Sequence, residues 1–236
     1  MNKILKTFAA CFIGLLPVAT FAKTSEAEQV RKIIDKVNQH WQAENKPEVR
    51  SFWDNAAYHT GNMEAYLLTG NETYRAYSEA WAKHNEWKGA KSNDRSQWKY
   101  SYGESDEYVL FGDYQICFQT YADLYNLAPE DYKIKRAREV MEYQMSTPQN
   151  DYWWWSDGLY MVMPVMTKLY KITHNSLYLD KLYEYIAYSD QIMFDKEENL
   201  YYRDAKYVYP KHKSVNGKKD FWARGDGWVL AGLAKV

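Results

Sequence analysis

The chain has 236 residues, 46% of them apolar, with 10 Trp and 23 Tyr. That composition supplies one sizeable core and excludes a disordered chain. Lys plus Arg number 30 against 31 for Asp plus Glu; setting aside Lys3 and Lys6 in an expected leader leaves about −3, which offers no basic face for nucleic acid and no polybasic membrane anchor.

Residues 1–22 read as a cleavable export signal: Lys3 and Lys6 are its charged region, Phe8 to Leu16 its apolar run, and Thr20-Phe21-Ala22 a small-x-small cleavage site. The mature chain is expected to start near Lys23 and to work in the periplasm or outside the cell. Cys11 lies inside the apolar run and is badly placed for lipidation. Cys117 then stands alone, so no internal disulfide forms, and its apolar neighbours mark it as a small buried hydrophobe.

Residues 23–236 contain no Gly/Ser/Pro-rich linker and read as one domain. A weak repeat organises it. Asp54 to Tyr66, Asp113 to Tyr125 and Asp157 to Tyr170 are each an acid, a helix-length apolar segment ending in Tyr, a short turn and another Tyr, and a fourth copy begins at Asp226-Gly227-Trp228. The turns carry helix stop and start signals: Gly70 with Asn71, Pro129 expected at a first helical position, and Asn175-Ser176. Each unit is therefore a helical hairpin, with a nearly apolar first helix inside and a charged, amphipathic second helix outside. Such hairpins stack as an open solenoid or close into a ring, and the closed ring is preferred. Pro164, seven residues into the third inner helix, is expected to bend it. The charged, turn-rich stretch 195–220 reads as a lid or rim hairpin.

The inner-helix starts bring Asp54, Asp113, Asp157 and Asp226 to one rim. Taken singly, each acid is explained as a helix N-cap. Taken together, with Trp53, Trp153 to Trp155, Trp222 and Trp228 interleaved, they mark a candidate sugar site, because indole faces stack on sugar rings while a positioned carboxyl group moves a proton. Burial beside Trp153 to Trp155 is expected to raise the pKa of Asp157. Arg224 presents a fork suited to a substrate carboxylate, or alternatively an ion pair with Asp226. Trp155 and Trp228 are the expected stacking surfaces. Trp81, Trp87 and Trp98 are expected to be packing residues. His59 reads as packed or solvated rather than as a site group, and His212 falls in a lysine-rich loop. No metal or other cofactor is called for.

Gly112-Asp113-Tyr114-Gln115, Trp154-Trp155-Ser156-Asp157-Gly158-Leu159-Tyr160-Met161 with Pro164, Tyr202-Arg203-Asp204, and Phe221-Trp222-Ala223-Arg224-Gly225-Asp226-Gly227-Trp228 together resemble the unsaturated rhamnogalacturonyl hydrolase family, related to the unsaturated glucuronyl hydrolases. The resemblance runs from about residue 26 to the end. It implies an all-α (α/α)6 barrel acting on pectin-lyase products, whose terminal uronic acid carries a C4=C5 double bond. It further implies that Asp157 protonates the vinyl ether and assists water addition, with Asp113 as the second carboxylate; Trp155, Trp222, Arg224 and Trp228 are the residues expected to bind the sugar. Two departures stand out: Asp226 occupies a position where Asn is commoner, and no histidine accompanies Tyr202-Arg203-Asp204. Eight helices are countable where a six-hairpin barrel needs twelve, so an incomplete barrel is expected. Competing readings are hydrolysis of saturated glycosides on the same barrel, or an exported glycan- or protein-binding helical repeat without catalysis.

Overall fold

Apolar segments with helical periodicity fold here as helices joined by tight turns, as the repeat requires. The computed structural model describes residues 25–236, so the leader expected over residues 1–22 lies outside the described residues. The helices are α1 (Glu26–Glu44), α2 (Trp53–Thr69), α3 (Glu72–His84), α4 (Gly112–Gln115), α5 (Cys117–Leu127), α6 (Tyr132–Ser146), α7 (Ser156–Thr173), α8 (Leu177–Met193) and α9 (Ala223–Ala234). Two-residue strands β1 (Phe194–Asp195) and β2 (Leu200–Tyr201) pair antiparallel. Helix α4 runs on into α5 after a single residue, Ile116, so the two act as one inner helix.

The turn chemistry accounts for the hairpins. Gly70 ends α2 in the left-handed region at φ 69°, and the Asn71 side chain caps α3 by accepting the Thr73 N–H at 3.1 Å. His174 ends α7 at φ 57°, and Asn175 accepts the Leu177 N–H at 3.1 Å. The second turn departs from expectation: α6 starts at Tyr132, so Pro129 sits in the loop before the helix rather than at its first position.

Helices α2, α5, α7 and α9 lie side by side in that order, while α3, α6 and α8 pack behind them. The result is an all-α, barrel-like arc. Leu159, Met161, Val162, Met163, Val165, Met166 and Leu169 of α7 are each at most 2% exposed, which makes α7 the spine of the core. At the two ends of the arc, apolar side chains reach the surface: Ile33, Val37 and Leu67 on α1 and α2, and Leu230 and Leu233 on α9. Among the described residues no helix is long and apolar enough to cross a membrane.

Pro164 does not break α7, which is continuous from Ser156 to Thr173. The missing proline N–H frees the carbonyl of Tyr160, four residues earlier. Buried Gln119 of α5 takes its place, donating from Nε2 to Tyr160 O at 2.9 Å and to Met161 O at 3.0 Å. Gln119→Leu is expected to cost about 1–3 kcal/mol, the price of stranding buried carbonyls. Chemical denaturation should show much of that loss recovered by adding Pro164→Ala, which restores an N–H to α7.

The rim acids are not N-caps. The capping positions of the four inner helices are Phe52, Phe111, Trp155 and Trp222, and none of these makes a side-chain cap bond. Asp54, Asp113 and Asp157 each stand one residue inside the helix, and Asp226 three residues inside. The capping explanation therefore falls, and an aromatic residue two positions before the acid is the feature shared by the first three copies.

Candidate active site

Three local devices bring the acids of α4 and α7 to one cavity. The first is glycine. A Cβ on Gly112 would meet the Trp155 ring at 3.0 Å, and one on Gly158 would meet it at 3.2 Å, so the Trp155 indole lies between the starts of α4 and α7. Phe111 packs on it at 4.8 Å and Trp154 at 4.7 Å between ring centroids. The second device is the approach of α9. A Cβ on Gly225 would lie 2.6 Å from Ser156 Oγ, and one on Gly232 would lie 2.9 Å from Leu159 O. These two glycines let α9 close on α7 and carry Arg224 to the rim beside Asp157.

The third device is the segment between α8 and α9, which folds back over the rim. Trp155 and Asp204 form an isolated antiparallel bridge, and Ser156 N donates to Arg203 O at 2.9 Å. Tyr201 N donates to the Asp226 carboxylate at 2.7 Å. Lys219 reaches Asp195 at 2.8 Å, closing the base of this segment. Asp226 thus latches β2 to α9 and does not face the cavity, which removes the negative charge expected there from the sequence.

The cavity encloses about 490 Å³. Asp113 and Asp157 lie on its wall with Trp53, Phe111, Trp154 and Trp155, facing Arg203, Arg224 and Trp222, while Tyr102, Tyr207, Asp220 and Phe221 line its edge. The Arg224 guanidinium lies 4.4 Å over the Trp222 ring, and Arg203 Nη1 donates to the Tyr207 hydroxyl at 2.8 Å. Arg203 Nε also pairs with the Asp204 carboxylate at 3.6 Å, whereas Arg224 forms no ion pair among the described residues.

Both acids are pushed toward their neutral forms. Asp113 is 5% exposed and its carboxyl receives no hydrogen bond among the described residues; burial, and then the charges of Asp157, Glu104 and Asp54, raise its pKa to about 8. Burial also raises Asp157, against a Ser156 hydroxyl that donates to it at 3.3 Å and the positive charges of Arg224 and Arg203. The charge of Asp157 is itself one of the causes that raise Asp113, so ionisation of Asp157 holds the proton on Asp113. Among the described residues no three His, Cys, Asp or Glu side chains come together as a metal site would require.

Of the residues singled out from the sequence, Asp113, Asp157, Trp155, Trp222 and Arg224 meet in this cavity. Trp228 does not. Its ring packs on Tyr160 at 4.6 Å, one face of α9 having turned it toward α7. Trp153 belongs to the core, at 1% exposure and 5.1 Å from the Tyr185 ring, so the aromatic wall is Trp154 and Trp155 alone of the three. Asp54 pairs with Arg50 at 3.5 Å outside the cavity. Arg224 makes no ion pair with Asp226 among the described residues. His59 is a core residue, stacked on Trp81 at 4.0 Å and bonded to Ser78 Oγ at 3.0 Å, and burial depresses its pKa to about 3. Cys117 is fully buried and its thiol is pushed up by that burial.

Sequence reasoning missed Arg203 and Tyr207 as site residues. The motif Tyr202-Arg203-Asp204 and the rim reading of 195–220 marked the stretch without giving either residue a role, because they reach the cavity through the bridge from Asp204 to Trp155, a pairing across almost 50 residues. It also missed His212, whose Nε2 lies 2.7 Å from Asp220 Oδ2 at the cavity edge.

The rim of this all-α, barrel-like fold gathers the buried Asp113, the half-buried Asp157, two arginines and a tryptophan wall. The chain belongs to Glycosyl Hydrolase Family 88, whose family model matches residues 26–236. It is 31% identical over 195 residues to an unsaturated 3S-rhamnoglycuronyl hydrolase of Formosa agariphila, covering 77% of this chain and 49% of that protein. Among solved structures it superposes on a polysaccharide lyase with TM-score 0.88 and 74% identity, covering 90% of this chain and 60% of that one. A family 88 glycosyl hydrolase from Bacteroides vulgatus matches with TM-score 0.88 and 64% identity, covering 89% and 60%. A family 105 glycoside hydrolase of C. acetobutylicum, at 18% identity and TM-score 0.61, shares the fold. The chain thus spans about half to three fifths of the length of these relatives.

Proposed function

We propose that this site removes a terminal 4,5-unsaturated uronic acid from a rhamnose-containing oligosaccharide, with lyase-cut pectic rhamnogalacturonan as the expected source. The observation that carries the reading is the acid pair itself: Asp113 and Asp157, both shifted toward protonation by burial in an aromatic cavity, opposite two arginines. The family membership and the printed name of the curated relatives support it. Residues 1–22 would export the protein to where such fragments arise.

The residues divide the chemistry as follows. Arg224, stacked on Trp222, meets the uronate carboxylate, and Trp155 carries the sugar face. Protonated Asp157 delivers its proton to C4, and the positive charge that develops spreads over C5 and the ring oxygen. Asp157, now a carboxylate, takes a proton from the water that adds to C5. The resulting hemiketal opens by breaking the bond from C5 to the ring oxygen, giving a ketone at C5. C1 is then a hemiacetal, which collapses to an aldehyde and releases the neighbouring sugar as its alcohol. No covalent sugar–enzyme intermediate is needed, unlike the retaining route to ordinary glycosides. Asp113, on which burial and the charge of Asp157 hold a proton, stays neutral while Asp157 alternates between acid and carboxylate.

The 74% identity to a polysaccharide lyase favours a second reading on the same residues. There, an ionised carboxylate of the pair removes the C5 proton of a saturated uronate, the bond from C4 to its oxygen breaks, and the leaving oxygen takes a proton from the cavity. One spectrophotometric experiment separates the two. Hydration consumes the double bond, so ultraviolet absorbance of unsaturated oligosaccharides falls; elimination creates it, so absorbance of saturated ones rises. The primary reading expects the fall with no rise, and a rise with no fall replaces it by the lyase.

A further inference from the structure

The segment between α8 and α9 reaches the cavity twice. Its first strip, residues 203–208, brings Arg203 and Tyr207; its second, residues 220–224, brings Asp220, Phe221, Trp222 and Arg224. Both strips are held at their base. Asp204 bridges to Trp155, Tyr207 N donates to Asp204 O at 3.0 Å, Phe221 stacks on Tyr202 at 4.7 Å between ring centroids, and Lys219 pairs with Asp195. None of these contacts involves the side chains of Tyr207 and Asp220.

His212 joins those two side chains. Its ring packs on Tyr207 at 4.6 Å, and its Nε2 lies 2.7 Å from Asp220 Oδ2. A carboxylate only accepts, so Nε2 carries the hydrogen and donates it. The backbone N–H of His212 donates to Val208 O at 3.1 Å, which folds the histidine back over the first strip. Tyr207 in turn carries Arg203, which donates to its hydroxyl at 2.8 Å and lies 4.9 Å over its ring. Asp220 stands two residues before Trp222, the ring on which the Arg224 guanidinium rests. Although it lines a cavity with two arginines, Asp220 pairs with His212 and, among the described residues, with neither of them.

We infer that His212 is a positioning residue for recognition of the substrate carboxylate: it ties the two strips together, so that Arg203 and Arg224 face one sugar, without lining the cavity itself. An arginine side chain carries much rotamer entropy, and fixing its fork beforehand spares that loss on binding. The inference rests on the reading that the arginines meet the uronate of the terminal sugar.

The test uses the full chain carrying Asp157→Asn, so that binding is measured without turnover, and titrates two ligands by calorimetry. One is an unsaturated disaccharide; the other is the same disaccharide with its uronate carboxylate reduced to an alcohol. Adding His212→Ala is expected to weaken the uronate by about tenfold and to leave the reduced ligand and the melting temperature unchanged. His212→Gln, whose side-chain amide can also donate to Asp220, should restore most of the lost affinity. Asp220→Ala should reproduce the loss, with no further loss when combined with His212→Ala, as expected of two partners in one contact. Equal weakening of both ligands, or unchanged uronate affinity in His212→Ala, overturns the inference and leaves the hydration reading standing. A His212-dependent preference for the uronate, in a protein whose Asp157 form never consumes the double bond, keeps the positioning role and removes the hydration reading.

Discussion

Asp157→Asn is expected to lower kcat on unsaturated oligosaccharides by about 10²–10⁴-fold, the usual worth of a positioned acid–base group, with KM changed by less than about threefold. Asparagine keeps the size and the contact to Ser156 but has no proton to give. The stacking on Trp155 and the contact to Arg224 are untouched, so binding should survive. Initial-rate kinetics check both numbers. The pH profile is a further readout. Burial raises the pKa of Asp157 from its ordinary value, and its acid form is the working form, so activity should persist to higher pH than a solvent-exposed aspartic acid allows and then fall as Asp157 ionises.

Asp113→Asn is expected to stabilise the folded protein while impairing catalysis. Asp113 has its folded pKa raised to about 8 by burial and by Asp157, above the value near 4 of an unfolded chain. Between those values the folded state binds the proton and the unfolded state does not, so stability falls as pH rises through that window. The destabilisation is fully present above about pH 8 and vanishes below about pH 4. Replacing the group by a neutral amide should therefore gain on the order of 2–4 kcal/mol at pH 8 and above, and little near pH 4. Thermal melts across pH read this directly. A destabilised function of this sort is the common cost of an active site.

Much of the fold was legible because the sequence repeats it. An acid, an apolar helix ending in tyrosine and a turn with Gly70 or Asn175 recur often enough to give the hairpins, their order and the inner and outer faces. The turn at Pro129 misled because proline at the start of a helix and proline in the preceding loop look alike without the backbone. Capping misled for a similar reason: an aspartate at a helix start suits the cap and the first turn equally well, and the backbone chose the first turn. In the site, Asp113, Asp157, Trp155, Trp222 and Arg224 were readable because each sits at a helix start that the repeat places on one rim. Arg203 and Tyr207 were not, since only the bridge between Asp204 and Trp155 brings them there. Trp228 was misassigned by proximity to the motif; five residues past the start of α9, its side chain has rotated away from the rim and onto Tyr160.

The central claim is that a proton from this site goes to C4 of an unsaturated uronic acid. The most direct test is to run the reaction in D2O with the wild-type chain and to follow the released uronic acid by NMR at the earliest turnovers, before the ketone at C5 promotes exchange. The account predicts one deuterium at C4, on a single face of the sugar, in step with loss of the double bond. Release of the sugar with C4 unlabelled would contradict it.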